Sequence, residues 1–174
     1  MSTPARPPSN GARGFLRFLL AGLAVQMLYI GVLASVAPHW FYGWFPFGRG
    51  WAGKLGVYNE HYVIDLGFTF LGLAIVVTWA TIRPTLALAR AAAVGSIIAN
   101  APHLFYHLDH THVLGLWDNV AQDGILVAAT VAGVTILLLL WQRPGAAEVP
   151  TAEVLHRPQR ELAVVGVGGV GEGR

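Results

Sequence analysis

An all-α, polytopic membrane protein is the fold class this sequence predicts, as a four-helix transmembrane bundle with an interfacial aromatic loop. Two observations predict it. The 174-residue chain is 55% hydrophobic and only 11% charged, with a mean hydropathy of +0.55, against roughly a quarter charged residues in ordinary soluble domains. Its apolar residues also fall into runs of about 20, the length a helix needs to cross about 30 Å of hydrocarbon.

The first run, 15–37, has Arg17 as its only charge, and follows a Pro-, Gly- and Ser-rich segment, 1–14, expected to be disordered. A cleavable signal peptide is disfavoured, because the run exceeds the roughly 7 to 15 residues of a signal core and leads into aromatics instead of a hydrophilic start. The segment 38–58, PHWFYGWFPFGRGWAGKLGVY, mixes Trp, Tyr and Phe with glycine. That composition suits the headgroup region, as an interfacial loop or short surface helix; a lipid- or quinone-like pocket is the alternative use of those rings. The second span, 60–82, carries Asp65 within it and Glu60 and His61 at its start. Arg83-Pro84 breaks the chain so tightly that the third span, 85–107, must run back beside the second. Small residues, Ala87, Ala89, Ala91 to Ala93, Gly95, Ser96 and Ala99, allow that span a close approach to its neighbours. Pro102 is expected to kink it and free a carbonyl one turn earlier. The fourth span is 119–141, and 143–174, rich in Ala, Glu, Pro, Arg and Gly, is expected to be a disordered tail.

Orientation follows from the basic residues. Nine (Arg6, Arg13, Arg17, Arg83, Arg90, Arg143, Arg157, Arg160, Arg174) lie at the N-terminal end, the 83–90 turn and the C-terminal tail, against Arg49 and Lys54 in the other two loops. Both termini are therefore expected in the cytoplasm of a bacterial cell membrane, with 38–57 and 108–119 facing outward.

The polar residues are distributed one-sidedly. Six of seven histidines (His39, His61, His103, His107, His110, His112) and all acids outside the tail (Glu60, Asp65, Asp109, Asp118, Asp123) fall at the outer side. Asn100, His103 and His107 share a face of the third span, and Asp65 lies one turn beyond His61 on the second. Ionisable groups at membrane depth turn inward and find partners. The expected site is therefore a pocket of His61, Asp65, His103, His107 and Asp123, supported by Glu60, Asn100, His110, Asp118 and Gln122. Imidazole and carboxylate would suit zinc, and two His with one carboxylate would suit non-haem iron. The same groups could form a proton relay or pH-sensitive gate. A purely structural network is the third reading, with Asp118 as an N-cap of the fourth span and Glu60 favouring a helix N-terminus.

The segments YNEHYVIDLGFTFLGLAIV (58–76) and NAPHLFYHLDH (100–110), followed by an Asp- and Gln-bearing span, resemble an uncharacterised bacterial family of small four-span membrane proteins with PYNEH…D and PHxxxH segments. Val57 stands where the family pattern has proline. The resemblance implies the four-span fold and no activity. Membrane desaturases carry more histidines, on the cytoplasmic side.

Other chemistries are excluded. Without cysteine there is no disulfide, thiolate ligand or cysteine nucleophile. GxSxG, GxxxxGK[ST] and a strand-borne GxGxxG are missing, and a +2 charge with no basic stripe argues against nucleic acid. The expected partners are the lipid bilayer and either a second copy or a membrane partner protein. Three functions are expected, in order: binding of a divalent metal or small ligand, a proton-linked transporter or channel, and a structural or accessory subunit.

Overall fold

The computed structural model describes residues 10–141; residues 1–9 of the expected N-terminal tail (1–14) and the whole of the expected C-terminal tail (143–174) lie outside them. Six helices and no strand make up the described residues: α1 (Asn10–Val36), α2 (Pro38–Trp44), α3 (Trp51–Lys54), α4 (Glu60–Ile82), α5 (Leu86–Asp109) and α6 (Leu116–Trp141). Helix α1 begins at Asn10, so the last residues of the expected disordered segment are helical. The second expected span coincides with α4. Three helices, α1, α4 and α6, are long and apolar enough to cross a membrane.

Local sequence sets the boundaries. Asn59 caps α4 by accepting from the Tyr62 amide, and Thr85 caps α5 by accepting from Leu88. Pro102 lies inside α5, which continues through it to Asp109. Asp118 is not the N-cap of α6. The helix starts at Leu116, placing Asp118 in its first turn, where the carboxylate meets Arg49 Nη1 at 2.5 Å and Lys54 Nζ at 4.0 Å. A carboxylate there still favours the positive end of the helix dipole.

The long helices alternate in direction. At one end Arg90 Nη2 donates to the Leu140 carbonyl, joining the start of α5 to the end of α6. Arg17 Nη2 approaches the Ile82 carbonyl, at 3.5 Å, joining the start of α1 to the end of α4. Each guanidinium thus meets a helix C-terminus, where unpaired carbonyls attract cations. At the other end, the Arg49–Asp118 pair ties the α2–α3 segment to the start of α6.

Packing is organised in two close pairs, α1 with α4 and α5 with α6, while α1 and α6 touch only sparsely. Glycine makes both pairs possible. A Cβ on Gly67 would lie 2.5 Å from the Ser35 nitrogen, and one on Gly133 would lie 2.7 Å from Ile97 Cγ1 and 3.2 Å from the Ala93 carbonyl. The core between the pairs is apolar, built on Leu20, Met27, Ala74, Val77, Ala92 and Ile136.

The 38–58 segment, expected as an interfacial loop or short surface helix, contains the two short helices α2 and α3 and forms a lid at one end of the bundle. Phe45–Pro46 is a cis peptide, and Phe47, Gly48 and Gly50 take positive φ between the helices. Gly50 is needed there: at φ 59°, a Cβ would also lie 2.7 Å from the Gly43 carbonyl. Phe45 stacks on Phe41 at 4.8 Å and meets Trp51 edge-on, and the Tyr42 hydroxyl donates to the Gly56 carbonyl.

Candidate functional site

One face of α5 carries a polar stripe, buried at Ser96, Asn100 and His107 and exposed at His103. Ser96, Asn100, His103 and His107 follow one another at intervals of four, three and four, a helical face about 16 Å long. Its lower end is tightly determined. Ser96 Oγ donates to the Ala92 carbonyl at 2.7 Å, and Asn100 Nδ2 donates to the Ser96 carbonyl at 2.8 Å. A backbone carbonyl can only accept, so Asn100 must turn its own oxygen outward. Gln26 of α1 then donates Nε2 to Asn100 Oδ1 at 2.8 Å. Asn100 is 1% exposed, and this amide pair joins α5 to α1 through the core.

The upper end is a histidine pair. His103 and His107 stand Nε2 to Nε2 at 2.8 Å, and Gln122 of α6 brings its amide nitrogen within 2.6 Å of His107 Nε2 and 3.1 Å of Nδ1. A neutral imidazole nitrogen has one proton or one lone pair to offer, and His107 Nε2 has two polar neighbours. Gln122 Oε1 is buried without a hydrogen-bond partner. The triad thus has hydrogen-bonding capacity left over, although His107 is 3% exposed and Gln122 is buried.

Those three side chains form the polar end of a cavity of about 150 Å³. Ile30 of α1, Phe41 of α2, Trp51 of α3 and Phe70 of α4 line its apolar walls, so all six helices contribute. An apolar enclosure with a few convergent polar groups is the usual form of a small-ligand site.

The expected five-residue pocket is not assembled. Among the described residues, no group of three or more His, Asp or Glu side chains is placed to hold a metal, so zinc or iron held by His61, Asp65, His103, His107 and Asp123 is not supported. His61 and Asp65 do pair, at 3.4 Å, but their side chains are 77% and 59% exposed. The buried face of α4 carries Gly67, Phe70, Ala74, Val77 and Ala80. Asp65, two residues before Gly67, lies about 200° around the helix from that line. The close approach of α4 to α1 dictates which side of α4 is inside, and it leaves His61 and Asp65 outside. Asp123 lies one position beyond Gln122, partly buried, with one carboxylate oxygen unpartnered.

The expected supporting groups also separate. Gln122 contacts His107 directly, and Asn100 joins Gln26. His110 stacks on Tyr106 at 4.1 Å and lies 2.7 Å from its carbonyl. Asp118 belongs to the Arg49 pair, and Glu60 opens α4 as an exposed first-turn acid. Tyr58, whose hydroxyl is buried without a partner, has its pKa held above the ordinary phenol value by desolvation, then by the Glu60 charge.

Sequence reasoning missed Gln26 and Trp51 as parts of this architecture. Gln26 could have been found as the one side-chain amide within the apolar 15–37 run, since such groups bond across membrane helices. Trp51 carried no distinguishing signal among its aromatic neighbours. Comparison with family models, characterised proteins and solved structures finds no match to this chain.

Proposed function

We propose that this chain is a four-span protein of the bacterial cytoplasmic membrane, akin to the family its 58–76 and 100–110 segments resemble, that binds a small neutral molecule at His103, His107 and Gln122. Helix α5 serves as the third of the four spans, completing the set with α1, α4 and α6. Its 24 residues give about 36 Å of helix, enough for the hydrocarbon. Its lower hydropathy comes largely from Ser96, Asn100, His103 and His107, and three of these are buried against other helices. The nine-to-two distribution of basic residues supports cytoplasmic termini, with the lid outward.

One observation carries the binding reading: under-satisfied polar groups on two helices close one end of a cavity whose other walls are apolar. A purely structural network would leave neither the space nor the unpaired Gln122 oxygen. A through-membrane proton path has less support, because below Ser96 the α5 face continues as Ala92, Ala93 and Ala89, all fully buried among apolar side chains.

Phenol, a compact donor and acceptor, tests the site. Titrated into protein in lipid nanodiscs, it should shift the 15N resonances of the His103 and His107 imidazoles saturably. The shift should vanish in Gln122→Leu and persist in His61→Ala. A response that grows linearly with phenol, as membrane partitioning does, refutes the reading.

A further inference from the structure

Helices α4 and α5 meet near mid-length and part towards the lid. A Cβ on Gly95 would lie 2.9 Å from Leu73 Cδ1, so the two helices are in contact at that level. Helical register then fixes what should face across the seam nearer the lid. Tyr62 and Leu66 lie eleven and seven residues before Leu73, and Tyr106 lies eleven after Gly95, each within about 20° of the line of contact. All three are nevertheless exposed, at 70%, 41% and 47%. The seam that is closed at Leu73 and Gly95 is therefore open at Leu66, about 10 Å farther along. Pro102, on the same line of α5, stands at that level and cannot donate to the Ile98 carbonyl.

The opening reaches the polar cavity. Leu66 and His103 both line it, and His103 is exposed whereas His107 and Gln122 are buried. Each lies six residues from the lid end of its helix, Glu60 for Leu66 and Asp109 for His103, so the two stand at one height, about 9 Å below the helix ends. Of the two histidines, His103 is the nearer to α4. It lies about 80° around α5 from Gly95, which faces α4, while His107 lies about 120° away, towards Ile97, which faces α6 at Gly133. The lid offers no comparable way in, because Phe41 and Trp51 are buried against the cavity, Phe45 packs on both rings, and Arg49 and Lys54 hold the segment to Asp118.

We propose that the seam between α4 and α5 is a lateral portal, through which the site at His103, His107 and Gln122 takes its ligand from the lid-side leaflet of the bilayer. The ligand class is a molecule with a compact neutral polar head and an apolar tail. A cavity of about 150 Å³ is of a size that holds one six-membered ring, so a tail must leave through the gap at Leu66 and stay in lipid. Leu66 sets what passes, and His103, at the threshold, is the first polar group the head meets. The portal presupposes the ligand site and the membrane placement proposed above.

The test sets 4-octylphenol beside phenol, with the full-length protein in nanodiscs of perdeuterated lipid. Both should shift the 15N resonances of the His103 and His107 imidazoles saturably, and the octyl chain should give NOEs to the Leu66 methyls and the Tyr106 ring. In Leu66→Trp the indole would compete with the chain for the gap, which should weaken 4-octylphenol about tenfold while phenol binds as in the wild type. A wild type that responds to phenol and not to 4-octylphenol leaves the site standing and overturns the portal. Chain NOEs to the exposed lid rings Trp44 and Phe47, in place of Leu66 and Tyr106, overturn it too. So does 4-octylphenol binding undiminished by Leu66→Trp, or weakened no more than phenol binding, since Leu66 would then be no exit. Should Leu66→Trp fail to fold, the wild-type NOEs decide alone. No saturable response to phenol itself would remove the site, and the portal with it.

Discussion

Replacing Gly67 by alanine tests the packing that decides which residues face the interior. The new Cβ would lie 2.5 Å from the Ser35 nitrogen and 2.9 Å from both the Ala34 carbonyl carbon and Ser35 Cα, where ordinary contact begins at 3.4 Å. All three are backbone atoms of α1, so no side chain can rotate away, and the helices must separate by nearly 1 Å. A gap of that size forfeits about a quarter to a half of the dispersion attraction across it, along a seam that includes Met27, Ala74 and Val77. Overpacking of this kind costs about 1 to 3 kcal/mol; alanine's better helix propensity returns up to about 1 kcal/mol. The net loss should be about 1 to 2 kcal/mol, a fall in Tm of roughly 2 to 8 °C. Gly72 is the control, on the same helix with nothing within 4 Å of its hypothetical Cβ. Gly72→Ala should therefore be neutral or stabilise by up to about 1 kcal/mol. Thermal unfolding of both variants in one detergent, followed by circular dichroism, measures the difference. If Gly67→Ala is as stable as Gly72→Ala, α1 and α4 do not meet there, and the argument that puts His61 and Asp65 outside loses its basis.

Three further outcomes are expected. Asn100→Leu strands the Gln26 amide and should cost about 1 to 3 kcal/mol, while adding Gln26→Leu should recover part of that loss; a double-mutant cycle in thermal unfolding that shows simple additivity refutes the pairing. Elemental analysis of detergent-purified protein should find no stoichiometric zinc or iron, and one metal per chain that disappears in His103→Ala plus His107→Ala would overturn the neutral-ligand site. Because the chain has no cysteine, single cysteines can report topology: Thr111→Cys should react with an impermeant maleimide from outside intact cells and Thr85→Cys only after lysis, with the opposite pattern inverting the orientation.

Much of the fold was legible because its signals are one-dimensional. Run length alone located the long helices, whereas capping was misread: Asp118 was expected to cap α6, and Asn59 and Thr85, which cap α4 and α5, were not singled out. The α5 stripe was legible for the same reason, since Asn100, His103 and His107 repeat at helical spacing whatever surrounds them. Partner choice is a different kind of information. Inward orientation was expected for Asp65 because charge avoids hydrocarbon, yet Asp65 is only the sixth residue of α4, about 8 Å from its start. At that depth a carboxylate paired with His61 can reach the headgroup region, so the constraint that turns deep charges inward is weak. The close backbone approach at Gly67 then decides the face. Glycine patterns of this kind become interpretable only once the opposing helix is known.

The residues found only in three dimensions share one property: their significance lies in what they leave unpaired. Gln26 looks like a minor polar interruption of α1, and its role emerges from a chain of obligations running from the Ser96 carbonyl through Asn100. Each step is forced by donor and acceptor identity, and the chain ends at an oxygen with no protein donor. Gln122 ends the upper chain in the same way, beside a histidine nitrogen with two claimants. A bundle needing polar contacts only to lock its helices would close both chains internally, because each unpaired buried acceptor costs about 1 to 3 kcal/mol. Yet buried unpartnered oxygens also occur at Thr78 and Thr130, which line none of the cavities described, so what supports the proposed site is the position of Gln122 beside His107 at the polar end of a cavity and not an unpaired acceptor as such. The decisive comparison is therefore Gln26→Leu with Gln122→Leu: if the proposed site is the one at His107, the phenol response should be lost in Gln122→Leu and kept in Gln26→Leu. Loss of the response in both variants would mean that it reports the packing of the bundle and not a contact at Gln122.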